Sequence, residues 1–311
     1  MRIVSLEEIK AVLPKVDLIA EIEAGFAAYS RGDVIVPPVG EMHFDSPPGD
    51  VHIKYGYIKN DEIYVIKIAS GFWQNTAYGL PNGNGMMLVF NQKTGQPVAV
   101  LQDEGYLTDV RTAVAGAVCA KFLAPKNIER IGILGTGLQA KMQLKYLDSI
   151  VDCKKAIVWG RSETSLLKYQ SEMNDSGYAI LTTRDMDEII DQCQLIVTCT
   201  ASEAPLISRV NPGTHITAMG SDTKTKQELD ASLLSMADLA VADSRPQCEE
   251  RGEIHQAMKV GFTMDGVVEV GEIIAGNHFG RTDEDQITIA DLIGVAVQDI
   301  QISKAVLNHL N

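Results

Sequence analysis

The sequence predicts an α/β protein: a doubly wound parallel sheet in the middle of the chain, beside a second, α+β domain made from the N-terminal part and the C-terminal helix. Three observations predict it. From Ile131 onward, short apolar strands alternate at regular spacing with amphipathic helices, the pattern of βαβ units. A glycine-rich turn, Gly135-Thr136-Gly137, sits between the first of those strands and the helix after it. Before residue 102 the pattern differs, with alternating strands joined by turn residues, as in a sheet of hairpins. The expected boundaries are 1–115 with 288–311 for the α+β domain and 116–287 for the parallel sheet.

Taken in order, residues 1–30 read as helix, with apolar positions recurring through Ile19, Ile22, Phe26 and Tyr29. Proline clusters at Pro37-Pro38 and Pro47-Pro48 break the pattern. Strands are expected over 51–57, 63–69, 86–90 and 98–101, the last two joined through Asn91-Gln92-Lys93-Thr94-Gly95. In the parallel sheet they are expected over 131–134, 156–159, 179–182, 195–200, 215–219 and 239–242. After Asp243 the chain reads as helix again, closing with a long apolar one over 287–310 that packs back on the first domain.

A chain of 311 residues with 45% hydrophobic and 22% charged content is long enough for two cores. Its net charge of -14, from 41 acidic and 27 basic residues without a basic block, argues against a nucleic-acid or anionic-membrane surface. The five cysteines are an odd number with no C-x-x-C spacing, which fits reduced thiols. The N-terminus lacks the apolar core of a secretion signal and no apolar run reaches about 18 residues, so a cytoplasmic protein is expected. The six histidines stand in no ligand spacing, so no metal is expected. There is no G-x-S-x-G elbow and no phosphate-binding P-loop.

The glycine turn lies where a dinucleotide fingerprint has to lie, directly between strand and helix, and marks the parallel sheet as Rossmann-type. Gly135 permits the tight turn, Gly137 lets a pyrophosphate approach the backbone, and Ala140 stands for the third glycine at a contact that tolerates a methyl group. The free amides of the helix opening at Leu138-Gln139 face the phosphates. At the end of the next strand, where an NAD site offers an acid to the ribose, the chain reads Trp159-Gly160-Arg161-Ser162. A guanidinium beside a hydroxyl suits the 2′-phosphate of NADP. NADP (NADPH) is favoured, and NAD stays open; the bland alternative is a solvated arginine at a helix start.

Three further residues are out of keeping with their surroundings. Lys67 interrupts the apolar strand Val65-Ile66-Lys67-Ile68. Arg111, with Asp109, opens an alanine-rich helix, and Asp222 follows the strand end Met219-Gly220-Ser221. A buried lysine and arginine need an anion, which an amino-acid carboxylate would provide, and an aspartate near a reacting nitrogen can exchange its proton. An edge-strand lysine, a helix-terminal ion pair and a turn aspartate are the alternatives.

The run from Asp103 to Ala113 containing Thr108-Asp109-Val110-Arg111-Thr112, then Leu123-Ala124-Pro125-Lys126, the glycine turn, Met219-Gly220-Ser221-Asp222 with Lys226, and Gly280-Arg281 before Gln286-Ile287-Thr288 together resemble the ornithine cyclodeaminase/mu-crystallin family along nearly the whole chain. The resemblance implies a homodimer in which the α+β domain holds substrate and dimerises. It implies that Lys67 and Arg111 bind the substrate carboxylate, with Lys67 also counted as catalytic, that Asp222 is the catalytic aspartate, and that Lys226 lies near the nucleotide. Leu138, Gln139 and Ser221 match cofactor contacts, joined by Thr136, Thr200, Met219 and Leu292, and Asn82 stands near nicotinamide and substrate.

Two departures stand out. The arginine that ornithine cyclodeaminases carry after the early proline is missing from Pro37-Pro38-Val39-Gly40, and Asp291-Leu292 replaces a common Ser or Thr. The segment from Pro47 to Gly56 looks like an ectoine-utilisation-type branch, in which Lys54 supplies the missing cation. The reading that follows is NAD(P)H-dependent reduction of a small cyclic imino acid, with Δ1-pyrroline-2-carboxylate giving L-proline as the leading reaction. Ornithine cyclodeamination, an alanine-dehydrogenase-like reaction and a non-catalytic NADP binder of the mu-crystallin kind are the alternatives.

Overall fold

A computed structural model of the chain describes residues 1–310. Contacts between residues divide it into two units, Met1–Thr112 together with the segment from Val295, and Ala113–Gly294.

In the first unit the strands run in the order Arg2–Ser5, Pro97–Gln102, Gly83–Asn91, Ile63–Phe72, Pro48–Ile58, Val34–Ile35, with Gly40–Asp45 also paired to Pro48–Ile58. Neighbours are antiparallel except Arg2–Ser5, which joins Pro97–Gln102 in parallel. Side chains alternate across the pleat, so Ile63, Val65 and Lys67 are buried on one face and Tyr64, Ile66 and Ile68 half-buried on the other. The helix Ala296–His309 packs on the strands Pro48–Ile58 and Ile63–Phe72 and against the helix Leu18–Ser30. The opposite face leaves Ile3, Phe44, Tyr57, Met86 and Val98 exposed.

The N-terminal thirty residues are not all helix. Arg2–Ser5 is a strand, and two helices, Leu6–Val12 and Leu18–Ser30, follow. Ser5 fixes the switch: its hydroxyl caps the amide of Glu8 while the Glu8 carboxylate accepts the Ser5 amide, a capping box. Pro14 breaks the run between the two helices, and Asp17 caps the second through the Ala20 amide.

The second unit holds an eight-stranded, wholly parallel sheet in the order Ala179–Thr183, Lys155–Trp159, Ile131–Leu134, Leu195–Thr198, His215–Ala218, Thr288–Asp291, Leu239–Ala242, Val268–Glu269. The strand order reverses beside Ile131–Leu134, which is where ligands bind in this architecture. Thr288–Asp291 corrects the expected C-terminal helix over 287–310: these four residues are a buried strand, and the helix begins at Ala296. A run of four fully buried residues has no periodicity that separates strand from helix, and here both its edges are taken by neighbouring strands.

Candidate active site

The order reversal opens a cleft of about 680 Å³ at the carboxyl ends of Ile131–Leu134, Lys155–Trp159 and Leu195–Thr198. Gly135 has φ +120, and a Cβ there would stand 3.0 Å from the carbonyl oxygen of Cys199, so a side chain is barred by both backbone and space. Gly137 is the N-cap of helix Leu138–Leu147 and offers no side-chain cap, while a Cβ built on it would meet nothing within 4 Å. The N-terminus of this helix thus opens on empty space, the geometry that receives a phosphate.

Arg161 and Ser162 line the cleft beside Ser165, and Thr200 with Ser202 lines its other side. The Ser162 hydroxyl also caps the helix Glu163–Glu172 at the Ser165 amide. The glycine turn, the guanidinium and the hydroxyls on either side of it are a donor set that a dinucleotide would fit. Trp159, Ser165, Cys199, Ser202 and Leu206 also line the cleft and escaped the sequence reading. Their shared signal is that most follow or end a parallel strand.

The other expected cofactor residues lie outside the cleft lining. Leu138 is exposed at the helix start. Gln139 receives a long bond from Gln143, and the buried Met219 sets its sulfur against the same Gln143 amide. The Ser221 hydroxyl turns inward to the carbonyl of Lys226 at 2.6 Å, and the Leu292 amide bonds the carbonyl of Ala218, so both fix strand-end turns. Asp222 is half-exposed after the strand His215–Ala218, ion-paired with Lys226 at 2.7 Å.

The first unit has its own polar centre. Lys67 and Arg111 are 2% and 5% exposed, and the sequence reading expected an external carboxylate to balance them. The chain supplies one itself: Asp299, on the C-terminal helix, takes the Arg111 Nε–H at 3.0 Å through Oδ1 and faces Lys67 Nζ at 3.1 Å through Oδ2. Gln298 adds its amide oxygen to Arg111 at 2.8 Å. Asp299 went unnoticed because one acid in the amphipathic stretch Ala296-Val297-Gln298-Asp299 reads as a solvated face.

Burial pushes the Lys67 ammonium down to about 7, with Arg111 and Lys54 adding to the fall and Asp299 opposing it. Burial alone would raise Asp299, but Lys67, Arg111 and Lys54 outweigh it and hold the carboxyl below its usual range. Lys54 lies opposite Lys67 in the strand register. Three cations thus act on one carboxylate. Asn82 is exposed, and its carbonyl accepts the Phe72 amide.

A family model, the ornithine cyclodeaminase/mu-crystallin family, matches residues 2–311. The chain belongs to this family. An uncharacterized cyclodeaminase of Sinorhizobium fredii is 36% identical over 97% of this chain and 94% of its own length. The alanine dehydrogenase of Archaeoglobus fulgidus is 32% identical over 99% and 94%. Among solved structures, the Δ1-pyrroline-2-carboxylate reductase of Thermococcus litoralis, in complex with NADH and L-proline, superposes with a TM-score of 0.91 at 26% identity, covering 99% of this chain and 97% of that one.

Within the ornithine cyclodeaminase/mu-crystallin frame, the departure at Asp291 has a structural explanation. Its side chain is buried, and Oδ2 accepts the amide of Ile254 at 2.8 Å, so it caps the helix Glu253–Met258. All five cysteines are free thiols. Among the described residues no cluster of His, Cys, Asp and Glu could hold a metal ion, and no helix is long and apolar enough to cross a membrane.

Proposed function

We propose that this protein reduces the C=N bond of a small imino acid with NAD(P)H, Δ1-pyrroline-2-carboxylate to L-proline being the leading reaction. The observation that carries the reading is the buried pair Lys67 and Arg111 with one carboxylate, Asp299, between them. Lys54 stands in register with Lys67, so cationic groups from neighbouring strands converge where a substrate carboxylate could be held.

In this reading Lys67, Arg111 and Lys54 hold the substrate carboxylate and fix the orientation of C2. Asp222, with Lys226 as its counter-charge, manages the proton on nitrogen. The chemistry that a reduced nicotinamide would supply here, when bound, is a hydride for C2. The two electrons reduce the imine carbon, the nitrogen gains a proton, and the products are the amino acid and the oxidised cofactor. Arg161 and Ser162 in the cleft support NADPH as the donor.

The test is oxidation of NADPH and NADH at 340 nm with Δ1-pyrroline-2-carboxylate, its six-membered homologue and an acyclic imine formed from pyruvate and ammonia. Turnover that Asp222→Asn abolishes, with cofactor Kd unchanged, is the expected result. No turnover with any imine overturns the reading. Ammonia release from ornithine without net NADH formation would then indicate a cyclodeaminase, and tight cofactor binding without either activity a binder.

A second reading, reduction of an acyclic imino acid, is favoured by the alanine dehydrogenase relative, and turnover of the pyruvate imine alone would select it. The exposed apolar sheet face carrying Ile3, Phe44, Tyr57, Met86 and Val98 supports a homodimer, since patches of this kind mark association surfaces. Sedimentation equilibrium should give about twice the chain mass of 33.8 kDa, and Met86→Lys should return it to one chain.

A further inference from the structure

One buried acid belongs to neither set of residues above. Glu228 is 0% exposed, and three donors converge on its carboxylate: the Thr200 amide at 2.6 Å on Oε1, and the Thr198 hydroxyl at 2.7 Å and the Gly220 amide at 3.0 Å on Oε2. Thr198 ends one parallel strand and Thr200 lies in the turn after it; Gly220 lies in the turn after the next strand, one residue before Ser221 and two before Asp222. Gly220 has no room for a side chain, because a Cβ would run into the Glu228 carboxylate and the Thr200 carbonyl.

Glu228 is itself held. Its amide and that of Leu229 bond the two oxygens of Glu253 at 2.7 and 3.2 Å, and Glu253 opens the helix whose Ile254 amide is capped by Asp291. A chain of three buried acids therefore runs from the sheet to the two turns. Burying them is costly, and simpler apolar packing would hold the turns less directionally.

We propose that Glu228 is a positioning residue for the nicotinamide half of the dinucleotide: it ties the turn after Leu195–Thr198 to the turn after His215–Ala218, so that Thr200 and Asp222 stand in fixed register. This rests on the dinucleotide reading of the cleft. The diphosphate and adenosine half depends instead on Gly135–Gly137 and Arg161-Ser162, which Glu228 does not touch.

That division gives the test. Isothermal titration of the wild-type protein and of Glu228→Gln is done with NADPH and NADH, and with the fragments ADP-ribose and its 2′-phosphate, which lack nicotinamide. In the variant an amide NH₂ faces a backbone N–H, so one donor loses its acceptor. The expected result is a Kd for the whole dinucleotide raised about 10-fold while the fragment Kd stays within roughly 2-fold, with faster hydrogen exchange in peptides spanning 198–203 and 219–223. Equal weakening of fragment and dinucleotide, or no change in either, overturns the proposal. Should Glu228→Gln not fold, Thr198→Val, which removes one of the three bonds, should give the same pattern at a few-fold. If the wild-type protein binds neither dinucleotide nor fragment, the cofactor reading itself fails and takes this proposal with it.

Discussion

Arg111 and Asp299 stand 188 positions apart in the chain, yet the guanidinium Nε–H meets the Asp299 carboxylate at 3.0 Å where both side chains are almost wholly withdrawn from water. Neither would be tolerated there alone. Together with Lys67 they form a buried ion triad, and removing one member of such a set leaves an uncompensated charge.

Asp299→Asn is therefore expected to destabilise the protein by about 3 kcal/mol, because Lys67 and Arg111 then repel each other without a counter-charge. Urea unfolding at pH 7 measures it. A change smaller than the extrapolation error would show that the triad is strain-free without its acid, and would remove the premise that it holds two cations ready for a substrate anion.

Lys67, pushed down to about 7 by burial, should make anion binding depend on pH near neutrality. The cation is present below that value and lost above it, so affinity for a carboxylate falls as pH rises. Cyclopent-1-ene-1-carboxylate, which has the shape of the imino acid but no titrating nitrogen, is a suitable probe. Its inhibition constant should rise from pH 6 to pH 9, and a flat profile would exclude Lys67 as a titrating contact. The linkage runs the other way for stability: the unfolded lysine keeps its proton up to about 10.5, so between 7 and 10.5 the unfolded state binds more protons and the folded state gains stability as pH rises.

Arg161→Ser should separate the two cofactors. The guanidinium can pair with a 2′-phosphate through two hydrogen bonds, and NADH has none to offer. The KM for NADPH should rise by about 10-fold or more while that for NADH changes little. Equal effects on both would place Arg161 as a solvated side chain at a helix start.

Glu253 and Asp291 give a second pH dependence, of opposite sign. Burial first, and neighbouring carboxylates after it, push both up to about 8. The unfolded chain releases these protons near pH 4, so the folded state holds extra protons between there and 8, and stability falls as pH rises through that window. Asp291 Oδ1 has no hydrogen-bond partner while Oδ2 caps Ile254, so an asparagine can keep the cap and imitate the neutral acid. Asp291→Asn should therefore lose less melting temperature than the wild type between pH 6 and pH 9 by scanning calorimetry. Identical slopes would mean that Asp291 does not titrate in that range.

Local chemistry made much of this molecule legible in advance. The strand, turn and helix around Gly135–Gly137 are set by neighbours in sequence: apolar residues in a short run, two glycines, then an amphipathic stretch. Lys67 was conspicuous for a similar reason, since one charge in an apolar alternation has no local explanation. Thr288–Asp291 was missed because its four residues carry no period of their own, and the two strands that claim its edges lie at 215–218 and 239–242.

What the sequence determined alone is therefore the family, the parallel sheet with its glycine turn, and the presence of charges, Lys67 and Arg111, that their local patterns do not explain. The tertiary structure decided how their charges are balanced. Asp299 reads as a surface acid on an amphipathic helix and Glu228 as one acid among 41 acidic residues; each becomes consequential only where folding excludes water and brings donors from distant segments onto its oxygens. Periodicity reports which face of an element is buried, but hydrogen-bond partners and electrostatic strength depend on what the opposite element presents, and that is fixed by packing rather than by neighbours in the chain.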